Sequence, residues 1–287
     1  MNKSIDTLIR DIYVLMENKT IGEGVDLDEQ CDAFGRTMAD VLREQLSPRE
    51  DNRKLRLSAI GKPDRQIYNS YHGVEGEPIR GATYIKFLYG HLVEAMLLAL
   101  VRCSGHEVTG EQKEVEVDGV KGHIDGYIDG VLMDVKSCSS FGFKKFHKNT
   151  LHEDDPFGYI PQLKAYAHAE GQTKYGWLAM DKQNGTLAWL QYDETHTDQP
   201  YAEAIDWSVP QRIADVKKLV EGPLPALCYE DLPDGKSGNR KLAMGCSYCQ
   251  YKDVCYPELR TFYYSNGPRY LTKVVKDPRV MEIPDEF

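Results

Sequence analysis

Nowhere among its 287 residues does the chain hold a run of apolar residues long enough to cross a bilayer, which takes about 18 or more. No membrane partner is therefore expected. The opening stretch, MNKSIDTLIRDIYVLMENK, reads as an amphipathic helix with acidic residues and not as a signal peptide. Internal repeats and low-complexity tracts are missing too. So is any excess of positive charge: 35 Lys and Arg stand against 45 Asp and Glu, a net charge of −10. That balance weighs against broad attraction to nucleic acid and confines such contacts to local clusters. Cysteine is present but in an odd number, seven, with three clustered near the C-terminus. This suits a reducing compartment and metal binding rather than disulfides, and a cytoplasmic location is expected. At 41% hydrophobic and 28% charged residues the composition is that of an ordinary globular protein, long enough for one large domain or two small ones.

What is present centres on His123–Ser137, HIDGYIDGVLMDVKS. Val131, Leu132, Met133 and Val135 read as a buried strand, and Asp129-Gly130 is a two-residue hairpin signal before it. A tight turn sets Ile128 opposite Val131 and Asp125 opposite Asp134. Side chains alternate along a strand, so Asp134 and Lys136 share a face, which Asp125 joins from the neighbouring strand. Burying such charges is costly unless they are paired or bind a metal. Carboxylate oxygens are ligands that Mg²⁺ and Mn²⁺ prefer.

Asp125, Asp134, Val135 and Lys136 together resemble the D-(x)n-(D/E)-x-K signature of the PD-(D/E)XK nuclease superfamily. Upstream, Ala82–Arg102 has the apolar spacing of a long buried helix carrying Gly90, His91 and Glu94. This resembles the first motif of the RecB-like and phage-type exonuclease branch, in which a helical Glu or His contributes to the metal site. Downstream, Gln162 and Tyr166 lie four apart on a helix expected from about Pro161 to Glu170, and so share a face. Q-x-x-x-Y in this order resembles a further motif of the same branch. The resemblance implies one or two Mg²⁺ or Mn²⁺ ions held by Glu94, Asp125, Asp134 and the Val135 carbonyl. It implies Lys136, Gln162 and Tyr166 as catalytic residues that orient or deprotonate water or position the DNA strand.

The cysteine array Cys246-x2-Cys249-x5-Cys255 resembles the C-terminal part of the iron–sulfur nucleases, including the CRISPR-associated exonucleases. Those relatives carry a fourth cysteine upstream, in a segment like Ser58–Arg65 here, where Pro63 stands in its place. Cys228, 18 positions before Cys246, is the best replacement. The spacing suits a structural zinc and a 4Fe–4S cluster alike. Cys31, on the stripe Cys31, Phe34, Met38, Val41 and Leu42, reads as a packing residue, as do Cys103 and Cys138. Lys144, Lys145 and Lys148, interleaved with Phe143 and Phe146, read either as a DNA contact with rings placed to stack on an unpaired base or as a solvated loop after the strand.

The expected organisation is an α/β fold: a restriction-endonuclease-like core of a mixed central sheet flanked by helices, plus a small C-terminal cysteine-stapled lobe. Three segments are expected: N-terminal helices over 1–80, with residues 51–80 irregular, the nuclease core over 81–222, and the cysteine module and tail over 223–287. The function implied is metal-dependent DNA hydrolysis, as an exonuclease in recombination, repair or phage DNA processing, in the host cytoplasm if phage-encoded. DNA is the implied partner, with a recombination or single-strand-binding protein beside it. A non-catalytic nucleic-acid-binding protein on the same fold is the alternative, and a cleavage assay with added metal separates the two.

Overall fold

The computed structural model describes residues 3–48 and 53–283, which gather into two compact units: 3–48 and 53–61 with 80–213, and 62–79 with 214–283. In chain order the helices are α1 (Leu8–Asn18), α2 (Leu27–Leu46), α3 (Asp64–Tyr71), α4 (Gly81–Cys103), α5 (Ser140–His147), α6 (Tyr159–Ala169), α7 (Ala202–Ile205), α8 (Val209–Glu221), α9 (Met244–Ser247) and α10 (Lys252–Cys255). The strands of the first unit are β1 (Val108–Thr109), β2 (Glu114–Val117), β3 (Val120–His123), β4 (Gly126–Ile128), β5 (Val131–Cys138), β6 (Lys174–Asp181) and β7 (Leu187–Asp193).

Five of these strands form one sheet in the order β1-β4-β5-β6-β7. β5 and β6 run parallel while the other neighbours are antiparallel, so the sheet is mixed. A parallel pair needs a crossover, and the chain between β5 and β6 supplies it with α5 and α6. Helices cover both faces. On one, Leu8 and Ile12 of α1 and Val93, Leu97 and Val101 of α4 pack on Met133, Val135 and Leu178. On the other, Phe143 and Phe146 of α5 and Leu163 and Tyr166 of α6 pack with Leu132 and Trp177. β6, buried along its length after Lys174, is the apolar run expected of a strand covered on both sides.

The hairpin forms in the register expected, Ile128 opposite Val131 and Gly126 opposite Met133. Asp129 and Gly130 both take positive φ, 49° and 81°, the conformation of a type I′ turn. A second device holds this turn. The buried His106 ring places Nδ1 2.6 Å from Asp129 Oδ2 and Nε2 3.3 Å from Asp11 Oδ2, linking α1 to the start of β5.

α4 carries two halves of different character. It meets the length and hydropathy of a membrane span, mean hydropathy 1.5, which counting uninterrupted apolar residues had overlooked. Its C-terminal half is nonetheless sheet-covering core, and its N-terminal half, up to Leu92, has no buried residue. α2 starts at Asp26, whose carboxylate accepts from the N–H groups of Asp28 and Glu29. It packs against α4 without burying any residue fully, so Cys31 is exposed where packing was expected. Cys103 and Cys138 are buried.

The second unit holds α3, inside the segment expected to be irregular. It also holds an antiparallel sheet of short strands: β8 (Leu232–Pro233), β9 (Arg240–Lys241), β10 (Arg260–Tyr264), β11 (Gly267–Lys273) and β12 (Glu282–Ile283), in the order β12-β10-β11-β9-β8. Phe262 and Leu271 are buried on it.

The tightest fit in the main sheet is at Gly176, where a Cβ would lie 2.6 Å from the Trp189 ring and 2.8 Å from the Leu190 carbonyl oxygen. Gly176→Ala is expected to cost about 1–3 kcal/mol as an overpacked core does, read as a lower urea midpoint.

Candidate active site

The turn and register bring three carboxylates and one ammonium together in the first unit. Asp134 and Lys136 are alternate residues of β5, and Lys136 Nζ stands 2.6 Å from Asp134 Oδ2. Asp125, just before β4, accepts a 2.8 Å hydrogen bond from the Val135 N–H. Glu94, on α4, accepts one of 3.1 Å from Gln112. His91, one helical turn before Glu94, is 3.9 Å from its other oxygen.

Electrostatics marks these groups as a single cluster. Burial first and the Asp134 charge second push Glu94 up to about 7. Burial, then Glu94, push Asp125 up to about 6, against the pull of Lys136 and the Val135 N–H. Burial also raises Asp134, with Lys136 opposing and Asp125 adding. For Lys136, burial alone would lower the ammonium, but Asp134 and Asp125 outweigh it and hold it above the ordinary lysine range. One ammonium thus faces three carboxylates that repel one another.

α6 closes the cluster from beyond the sheet. Asp155 accepts the N–H groups of Tyr159 and Ile160 and so fixes the start of this helix. Tyr166 is buried, and Gln162 Nε2 lies 3.5 Å from its hydroxyl. The Tyr166 ring reaches the cluster because residue 122 is glycine: a Cβ there would lie 2.6 Å from Tyr166 Cε1. Tyr159, not singled out from the sequence, sets its ring 4.9 Å from Lys136 Nζ. The signal for it was available: Tyr159, Gln162 and Tyr166, at i, i+3 and i+7, share one helical face.

Lys144 and Lys148 are exposed, whereas Lys145 Nζ is tied to the backbone and side-chain oxygens of Asp154 at 2.7 and 2.6 Å. Phe143 and Phe146 are core residues, so they do not offer the stacking surface expected of them. The segment is an amphipathic helix with Phe143 and Phe146 on its apolar side, while the Phe141 ring is exposed.

Whether these residues suit a divalent cation turns on charge. Asp134 Oδ2 is buried against Lys136 Nζ, and the three carboxylates raise one another. A hard cation would relieve that repulsion. Among the described residues no three His, Cys, Asp or Glu side chains stand in a ready coordination shell; the fit is of donor chemistry and charge.

In the second unit Cys228, Cys246, Cys249 and Cys255 line a single cavity with Arg65 and Lys252. The backbone N–H groups of Gln66 and Arg65, in the first turn of α3, donate toward the Cys228 thiol. Burial, followed by the other three cysteines, pushes Cys246 up to about 11. The Tyr251 N–H lies 3.5 Å from Cys249 Sγ. Lys252, against this cavity, is paired with Glu77.

No family model matches the chain, and no curated protein matches it. Among solved structures, SSO0001 is similar at 14% identity over 77% of this chain and 95% of that one, with a TM-score of 0.39. LHK-Exo in complex with dAMP is similar at 13% identity, 60% of this chain and 91% of that one, TM-score 0.40. A further structure of LHK-Exo, an alkaline exonuclease from Laribacter hongkongensis, gives 14%, 59%, 90% and 0.39. Likeness at this level says nothing of activity.

The raised carboxylates make a pH prediction. From the ordinary carboxylate range up to about 6 for Asp125 and about 7 for Glu94, the folded chain keeps protons that the unfolded chain has lost. This site's contribution to stability therefore falls as pH rises through that window. A divalent ion bound to these carboxylates would replace those protons, so stabilisation by added Mg²⁺ is expected to grow from pH 5.5 to pH 8. The check is the thermal midpoint with Mg²⁺ against EDTA at each pH. Glu94→Gln should flatten the dependence, and equal Mg²⁺ shifts at both pH values would contradict it.

Proposed function

We propose that the protein is a metal-dependent nuclease that hydrolyses DNA phosphodiester bonds, acting as an exonuclease. One observation carries this reading: a buried Asp134–Lys136 pair, 2.6 Å apart, beside two further carboxylates whose charges it does not neutralise. A scaffold has no need of such a cluster, which only costs stability.

Glu94, Asp125 and Asp134 would hold Mg²⁺ or Mn²⁺, with the Val135 carbonyl as a further ligand. A bound divalent ion supplies Lewis-acid polarisation of the phosphate and a more acidic water. Lys136 is held in place by Asp134 and by the Tyr159 ring, so its ammonium stays beside the carboxylates. There it orients the attacking water and offsets phosphate charge. Gln162 and Tyr166 bound the site from α6 and position the water or the strand. Lys144 on α5 and Lys148 at its C-terminal cap stand exposed to meet phosphates, while Lys145 acts through Asp154.

In the second unit the four cysteines would hold a structural zinc or a 4Fe–4S cluster, whose binding contributes folding free energy. Four thiols around one cavity are the support for this reading.

Asp134→Asn and Lys136→Ala should each lower Mg²⁺- or Mn²⁺-dependent cleavage by about 10²-fold or more, with little change in thermal midpoint for Asp134→Asn and a lower midpoint for Lys136→Ala, which leaves the buried Asp134 carboxylate without its cation. End-labelled linear DNA and closed circular DNA, each digested with metal or with EDTA, provide the assay. Short products from linear DNA alone mark an exonuclease. Full activity in both variants would refute the assignment.

Anaerobically purified protein should carry about one equivalent of zinc, colourless, or iron with visible absorption. Cys246→Ser should remove it and lower the stability of the second unit while leaving the Mg²⁺ shift of the first intact. Protein holding neither element, with all four thiols freely titratable, would refute the cysteine site.

A further inference from the structure

One buried donor in the second unit has no acceptor. Arg65, in the first turn of α3, has its Nη1 fixed on the Pro225 carbonyl oxygen at 2.8 Å. Its Nε, however, is buried with no hydrogen-bond partner. A guanidinium does not shed its protons in a protein, and a donor left unpaired in the interior is costly. Native structures keep such a group where an ion, a water or a ligand receives it. The Arg65 side chain lines the cavity shared by Cys228, Cys246, Cys249 and Cys255. The backbone N–H groups of Arg65 and Gln66 donate toward the Cys228 thiol in that same cavity. Main chain and side chain of one residue therefore address one set of sulfurs.

We infer that Arg65 is a positioning residue of the cysteine centre, its Nε–H donating to a metal-bound thiolate and its charge offsetting that of the four sulfurs. The inference rests on the reading of these cysteines as a metal site and adds the residue that holds the ligands. Charge selects Arg65. Four thiolates around a divalent zinc leave two negative charges over, and a cluster held by four thiolates is anionic as well. Two lysines also stand near the thiols. Lys62 is exposed to solvent, and Lys252 is committed to Glu77 and to the Tyr270 ring. Arg65 has both a charge and an open buried donor. Geometry agrees, because the guanidinium is a rigid plane and fixing Nη1 on Pro225 fixes the direction of Nε–H. A thiolate, the form that ligates metal, accepts from a cationic donor more strongly than a neutral thiol does.

The test compares the full chain with two variants. Arg65→Met keeps the apolar stem but removes donor and charge, while Arg65→Lys keeps the charge alone. Zinc affinity is measured by competition with a chromogenic chelator. Where the purified protein carries iron, the decay rate of its visible absorption under chelator is read instead. Arg65→Met should hold its metal about 10- to 100-fold more weakly, the loss expected when an outer partner of a metal ligand is removed. Arg65→Lys should fall between it and the wild type. Thermal midpoints separate this role from packing. The Pro225 bond is lost with and without metal, so Arg65→Met should lower the midpoint of the loaded protein more than that of the chelator-stripped protein. Wild-type metal retention in Arg65→Met, or equal falls in midpoint in both states, would overturn the inference and leave Arg65 a packing residue of α3. A wild type that binds neither zinc nor iron would refute the cysteine centre itself, and this inference with it, before any variant is made.

Discussion

A lysine and an aspartate two residues apart on one face of a buried strand set the terms for the whole first unit. Lys136 offers one positive charge where Glu94, Asp125 and Asp134 bring up to three negative ones. Below neutral pH retained protons offset part of the difference, and a divalent ion would replace them. Everything that packs around β5 serves to hold these groups where water cannot screen them. Trp177 of β6 lies beside Asp134 in the parallel register, α6 lays Tyr159 and Tyr166 across the cluster, and α4 brings Glu94 up to it. The arrangement is destabilising by itself. It persists because the surrounding sheet and helices over-determine it.

The two units divide the work by ligand chemistry. Asp134 stands on a sheet strand, Asp125 just before the neighbouring strand, and Glu94 joins them from α4. Sulfur donors are gathered by short helices and loops, where Cys246, Cys249 and Cys255 follow one another within one turn-rich segment. Hard cations suit the first set and soft ones the second.

How much of this was legible depends on how local the cause is. The hairpin, its turn at Asp129-Gly130, the Asp26 cap and the span of α4 all follow from residues adjacent in sequence, and all were readable from it. Phe143 and Phe146 were misjudged because an amphipathic helix and a ring-bearing loop look alike until it is known which side meets the sheet. Cys31 was misjudged for the converse reason, since α2 has the stripe of a packed helix and lies against α4 without burying any of its residues. α3 was overlooked because its polar sequence has too few apolar residues to show a period.

By itself the sequence determined the chemical inventory and its local order: carboxylates at alternate strand positions, a glutamate inside an apolar helix, and cysteines at metal-ligand spacing. Periodicity and turn chemistry act over a few residues, so they can be read from neighbours alone. Only the tertiary structure decided that Glu94 meets Asp125 and Asp134, that Tyr159 faces Lys136, that Cys228 shares a cavity with the other three thiols, and that half of α4 stands exposed. Those facts depend on which surfaces bury one another, a choice made by the packing of distant segments and left open by any stretch of sequence taken alone.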